Sequence, residues 1–302
     1  MEEKRTSEDQ GRRGCSLPEH LLETLHCATA LEKRFLYDEI FVQECYLCPQ
    51  EGCIVDIDDG WTIVDIGANI GLFSLFCAEK GRGRYPKVFA VEPVPMTYEY
   101  LKRNIDLYEK TRGVADIVPL QVAVGAGFDD EVEFVVYPHA LGWNCMSMVA
   151  KENMVSMKHD LRVFIRNSIK ESSTSLPYWL GYIGRFLIQV APWMVSWIIT
   201  IVTRFLMHGA IRVKCPCVTV SQIMEEYGIH HVDLLKVDVE GGELLVLQGI
   251  QDWSRVHRVV AEVHEKNLKE VEILCRRHFS RVIIQQAHDM KGTSLWMVYC
   301  SK

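Results

Sequence analysis

"TIVDIGANIG", residues 62–71, passes from a β-prone apolar run into a turn bracketed by glycines, and the "LFSLFCAEK" that follows has the spacing of a helix. A strand, a glycine turn and a helix in that order form the junction where open parallel sheets hold nucleotide-like ligands. The chain on either side repeats the alternation. "KVFAVEP" (87–93) reads as a strand stopped by Pro93, and "PMTYEYLKRNIDLY" (95–108) as a helix with Pro95 in its first turn, where a missing N–H costs nothing. "DIVPLQVAVG" (116–125) is a third strand, weakened in its first half by Pro119, and "EVEFVVYP" (131–138) reads as a further strand at an edge. The rhythm breaks over 138–210. It resumes with a helix in "VTVSQIMEEYG" (218–228), a strand in "VDLLKVDVEG" (232–241) and a helix in "GELLVLQGI" (242–250). A strand in "RVVAEVHE" (258–265), a helix in "LKEVEILCRRH" (268–278) and strands in "RVIIQQA" (281–287) and "SLWMVYCS" (294–301) complete it. The last two strands lack a helix between them and read as an antiparallel hairpin. The expected fold class is α/β: a Rossmann-like sheet of about seven strands, mostly parallel, with one antiparallel edge strand.

Composition narrows the function. The chain has 302 residues, 48% of them apolar, enough for a full core. A net charge of -7 and the absence of a dense basic stretch argue against a nucleic-acid partner. Residues 1–16 are charged and poor in apolar residues, which predicts disorder; 17–61 form a helical lead-in; 62–302 form the main domain, interrupted by an insert at about 150–210. The amino-terminal residues hold no apolar run of the secretory kind, so the expected location is cytoplasmic, with free thiols. Eleven cysteines include Cys45, Cys48 and Cys53, and Cys215 with Cys217. Only one of these pairs has a zinc-type spacing, so buried thiols are the better reading.

The glycine turn excludes some ligands. A dinucleotide fingerprint needs glycines where this chain has Asn69 and Leu72, and a P-loop needs a Lys-Ser/Thr pair that is missing. The remaining pattern, Asp65-x-Gly67-x-Asn69-x-Gly71, brings backbone close to a ligand without phosphates. Asp65 suits an ammonium. Glu92, about 20 residues past the turn at the tip of the second strand, suits two ribose hydroxyls. An ammonium and a ribose without a phosphate describe S-adenosylmethionine (SAM). Each acid also has a structural alternative: a helix-capping role for Asp65 and a solvated strand end for Glu92.

"DIGANIG", "AVEP", "QVAVG" and above all "VDLLKVDVEGGELLVLQG" resemble the FkbM family of SAM-dependent methyltransferases. The likeness covers roughly residues 37–137 and 211–285. Gly242 stands where the family often has Ala, and 150–210 has no place in the family pattern. The resemblance implies the class I methyltransferase version of the Rossmann-like fold and, most often, O-methylation of sugars and natural products. The expected activity is therefore methylation of a hydroxyl on a small-molecule, sugar or lipid-like acceptor. The alternative is a non-catalytic methyltransferase-like domain that binds a membrane or a partner.

Such a transfer needs an aligned acceptor and somewhere for its proton to go. Asp238 and Glu240 at one strand tip, and Glu262 and His264 at the next, supply candidates. Three readings stay open. His264 is a base oriented by a carboxylate; or Asp238, Glu262 and His264 hold a divalent metal, which is not the expected case; or Glu240 and Glu243 are acids at a helix start. Lys236 is expected to pair with a buried acid. "GWNCMSM" (142–148) is either a surface loop or part of an acceptor pocket. "FLIQVAPWMVSWIITIVT" (186–203) carries no charge. A single crossing would split the sheet across a bilayer, and Pro192 interrupts a helix. Trp179, Trp193 and Trp197 suit an interface, so 178–205 are expected to touch a membrane face; a lid or a dimer contact is the alternative.

Overall fold

The computed structural model describes residues 15–47, 57–81, 85–138, 144–148, 159–160, 163, 197, 200–205, 207–286 and 290–302. The lead-in forms α1 (Glu19–Thr24) and α2 (Ala30–Tyr37), the latter capped by Thr29 accepting from Glu32 N, and continues into a π-helical turn over Asp38–Val42. The main domain then runs β1 (Thr62–Ile66), α3 (Leu72–Lys80), β2 (Lys87–Val91), α4 (Pro95–Arg112) and β3 (Asp116–Leu120). Four strands follow: β4 (Ala123–Val124), β5 (Glu131–Val136), β6 (Cys145–Met146) and, past the insert, β7 (Ile211–Val218). Last come α5 (Val220–Glu226), β8 (Leu234–Val237), α6 (Glu243–Gln248), β9 (Arg258–His264), α7 (Glu265–His278), β10 (Arg281–Gln285) and β11 (Leu295–Ser301).

Seven strands make the main sheet, in the order β10-β11-β9-β8-β1-β2-β3. All neighbours are parallel except β11, which runs antiparallel to both β9 and β10. The reversed strand therefore lies one place in from the edge, because the β9–α7–β10 crossover leaves a gap that the returning hairpin fills. Pro119 is accommodated because β3 is the opposite edge of this sheet, paired only with β2.

β5 does not extend the main sheet. It joins a second, four-stranded sheet of order β4-β7-β5-β6, paired antiparallel to β7 and to β6. β7 itself, ahead of the expected helix, is the element least visible in the sequence, since Pro216 and its charged residues mask its alternation.

Successive residues of β1 feed opposite faces of the sheet, as a period of two requires. Ile63 packs with Phe73, Phe76 and Leu101 of α3 and α4; Val64 and Ile66 pack with Ile223, Val246 and Val271 of α5, α6 and α7. Both faces are covered, which explains the unbroken apolar character of the central strands. The lead-in shares the first core: Leu21, Phe41 and Tyr46 are buried with Phe73 and Phe76.

Candidate functional site

The turn after β1 is fixed by backbone geometry. Gly67 has φ +77°, and a β-carbon there would sit 1.7 Å from the backbone oxygen of Asp238, so only glycine fits. Gly71 has φ +93° and opens α3; a β-carbon there would lie 2.7 Å from Leu101 Cδ1. Asn69 between them has φ +50°, a conformation asparagine tolerates. Gly67 N and Ala68 N both donate to Val91 O at 3.0 Å, tying the turn to the end of β2.

Glu92 follows β2 and faces this turn. Its Oε2 accepts from Asn69 N at 3.0 Å and its Oε1 from Val94 N at 3.0 Å. Burial raises its pKa to about 7, although the two backbone donors pull the other way. Asn69 Oδ1 is buried and has no hydrogen-bond partner among the described residues. A half-made polar pocket of this kind calls for a donor-rich ligand. Gly67, Asn69, Gly71 and Glu92 thus fit the adenosyl part of SAM.

Asp65 is placed otherwise than its position beside the turn suggested. It is fully buried, accepts from Ser74 Oγ at 2.7 Å and lies 3.2 Å from Lys236 Nζ. The β1–β8 register sets Asp65 opposite Lys236, on the face covered by α3. Its carboxylate therefore braces the turn from beneath instead of standing at the mouth. Lys236, expected to pair with a buried acid, does so. It also donates to Gly67 O at 2.8 Å and approaches Asp238 Oδ2 at 3.4 Å. Burial opposes its charge, but Asp65 and Asp238 outweigh that and raise its pKa.

On the other side of the mouth, β8 and β9 end together. His264 closes β9, and its Nδ1 lies 2.9 Å from Glu243 Oε1. Glu243, the first residue of α6, is fully buried and also accepts from Gly241 N at 2.5 Å and Asn267 Nδ2 at 2.7 Å. Burial would raise the Glu243 pKa, yet His264, Asn267 and Gly241 bring it below the usual carboxylate range. His264 is raised: burial opposes its charge, but the bond to Glu243 and the charges of Glu243 and Glu240 prevail. Its Nε2 lies 3.6 Å from Glu240 Oε2. Glu240 sits at φ 49° in the loop after β8, and burial, helped by Asp238 and Glu243 and opposed by His264, raises it to about 8. Glu262 is raised well above its usual value by burial and by the charges of Asp238, Glu39 and Glu240.

The structure thus gathers His264 and Glu240 in one cluster and sets Asp238 beside the turn. Glu243 belongs to both readings of it: it begins a helix, and it orients the imidazole. Asn267 and Tyr46 could not be found from local pattern. Tyr46 comes from the lead-in, 192 residues from Asp238, and its hydroxyl donates to Asp238 Oδ2 at 2.8 Å. Of "GWNCMSM", residues 144–148 are described; Cys145 and Met146 form β6, and Met146 Cε lies 3.0 Å from where a Gly242 β-carbon would stand.

Among the described residues no group of three His, Cys, Asp or Glu is arranged to hold a metal, and the described cysteines, Cys45, Cys215 and Cys217 included, are free thiols. Cys48 and Cys53 lie outside the described residues, as do 1–14 and most of 178–205. No described helix is long and apolar enough to cross a membrane.

Residues 65–290 match the Methyltransferase FkbM domain. The chain is 30% identical over 279 residues to the 31-O-demethyl-FK506 methyltransferase FkbM of Streptomyces tacrolimicus, spanning 91% of this chain and 92% of that one. It is 29% identical to methyltransferase sdnD of Sordaria araneosa, over 80% of this chain and 78% of that one. It is also 29% identical to the AMB antimetabolite synthetase AmbE of Pseudomonas aeruginosa, over 89% of this chain but only 12% of that much longer protein. A crystal structure of methyltransferase FkbM from Methylobacillus flagellatus aligns with 12% identity and a TM-score of 0.45, over 93% of this chain and 57% of that one. The match begins at Asp65 and runs through the turn, both acid-bearing strand tips and His264, and by it the chain belongs to the FkbM family of SAM-dependent methyltransferases.

Proposed function

We propose that this chain methylates a hydroxyl group of a small-molecule, sugar or lipid-like acceptor. Gly67, Asn69, Gly71 and Glu92 would hold SAM, which supplies an activated methyl carbon when bound. The observation that carries the acceptor chemistry is the chain Glu243–His264–Glu240. Glu243 is sealed and ionised, so it fixes the imidazole through Nδ1. Nε2 is left facing Glu240 at the mouth. In its ionised form, whose share grows as pH rises toward 8, Glu240 is a stronger base than an exposed carboxylate and better matched to an alcohol proton. The pair His264 and Glu240 can take that proton and keep it within the cluster. The name of the Streptomyces relative describes transfer to an O-demethyl compound, which supports an oxygen acceptor here.

Labelled SAM incubated with sugar pools and lipid extracts tests this reading. Methyl transfer by the wild type should fall about 10²- to 10⁴-fold in Glu240→Gln and in His264→Ala, with cofactor binding retained. Undiminished transfer by both variants would remove the cluster from the mechanism.

A membrane face is the second part of the proposal. Its support is the uncharged run 186–203 together with exposed apolar side chains at and just past its end: Trp197 is 66% and Phe205 64% exposed, and Ile201 and Val202 are exposed as well. Apolar side chains grouped this way suit an interface. Deleting 178–205 should release the protein from liposomes while sparing SAM affinity; unchanged partitioning would exclude the contact.

A further inference from the structure

With Asp65 sealed beneath the turn, the ammonium of the bound cofactor lacks the acid that its sequence position offered. The geometry supplies another. Lys236 Nζ stands between two carboxylates, 3.2 Å from Asp65 Oδ1 and 3.4 Å from Asp238 Oδ2. Two acids and one ammonium leave this trio one negative charge. Only Asp238 presents it outward: its side chain is 27% exposed, against 3% for Lys236 and none for Asp65. Asp238 also lies at the turn itself, since its backbone oxygen is the atom that a Gly67 β-carbon would strike. Its carboxylate is held in place by the Tyr46 hydroxyl at 2.8 Å. Tyr46 is in turn buried edge-on against Phe73, with centroids 5.1 Å apart, and Lys236 Nζ lies 5.2 Å from its ring centre. Of the other half-buried acids nearby, Glu240 is directed at His264, and Glu262 is pressed toward its neutral form by burial and by the charges of Asp238, Glu39 and Glu240.

We propose that Asp238, oriented by Tyr46 of the lead-in, receives the α-ammonium of the cofactor, while Asp65 acts only from below through Lys236. The proposal rests on the SAM reading of the turn. It makes the lead-in a contributor to the binding site, because the hydroxyl that orients Asp238 Oδ2 comes from Tyr46.

The test compares S-adenosylhomocysteine with its deamino analogue, which lacks only the α-ammonium, by calorimetry on the full chain. The wild type should prefer the amino compound by at least about tenfold, the least expected of a charge-assisted bond. Asp238→Asn should bring the two affinities together. Asp65→Asn leaves Lys236 to neutralise Asp238, so it should lower the ratio, but less than Asp238→Asn, because the carboxylate that meets the ammonium remains. Tyr46→Phe removes one hydroxyl and keeps the ring packing; it should lower the ratio part of the way, and it decides the matter if Asp238→Asn does not fold. A ratio kept in Asp238→Asn, or unchanged in Tyr46→Phe, overturns the proposal. Equal binding of both compounds by the wild type overturns it while leaving the SAM site standing, whereas binding of neither overturns both.

Discussion

Glu92 ties the turn after β1 to the end of β2 in the proposed cofactor site. It holds the turn through Asn69 N, and it is the acid that a ribose would meet. Because burial lifts its pKa to about 7, its carboxylate form, the better acceptor, is lost as pH falls through neutrality. Cofactor affinity measured by calorimetry should therefore weaken below pH 7, by up to about tenfold per pH unit. Glu92→Gln should bind weakly and without that dependence; a flat wild-type profile from pH 6 to 8 would contradict the assignment. This residue was legible in the sequence because strand, Pro93 and spacing all placed it at a tip. Asp65 was legible as an acid at the turn, but its direction was not. That depends on β1 lying beside β8, which sets Lys236 opposite it, and on Ser74 in the first turn of α3. No local pattern encodes a pairing between residues 171 apart.

At the scale of elements, the strands and helices that carry the alternation were readable from their apolar runs, and those that depart from it were not. No element is legible over 211–217, where β7 runs; the helix is legible from Val218 onward. The boundary is set by Thr219, whose Oγ1 accepts from Gln222 N at 3.1 Å while its own N donates to Gln222 Oε1 at 2.7 Å. This reciprocal capping box starts α5 one residue after β7 ends. Thr219→Ala should cost about 1 kcal/mol in urea unfolding, since it leaves orphan donors at that end. Thr219→Ser should cost less, and equal losses in both would show that the cap contributes nothing. The β10–β11 hairpin was legible as antiparallel. That β11 takes the inner place follows from the crossover through α7, a property of the whole sheet.

The whole molecule carries its site as a cost in stability. Glu92 rises from 4.5 to about 7 and Glu240 from 4.5 to about 8, and Glu262 and His264 are raised too. Each therefore binds its proton more tightly in the folded chain. The resulting stability is present below the unfolded pKa and is lost as pH rises through the folded one. Glu243, lowered, works in the opposite sense and is lost only as pH falls. The ligand-free protein should thus be less stable at pH 8.5 than at pH 5.5, by an amount on the order of a few kcal/mol, read as a lower urea midpoint. A midpoint that rises over this range would mean that the acids are less buried than described. The lead-in belongs to the same body: its Tyr46 reaches Asp238, and its apolar residues share the core of α3. The glycine turn and Glu92 are proposed to form the SAM site. Calorimetric titration of the intact chain with SAM tests it most directly. Binding should be one-to-one and should disappear in both Gly67→Val and Glu92→Ala; a wild type that takes up no SAM, or a Glu92→Ala variant that binds it as well as the wild type, would rule this site out.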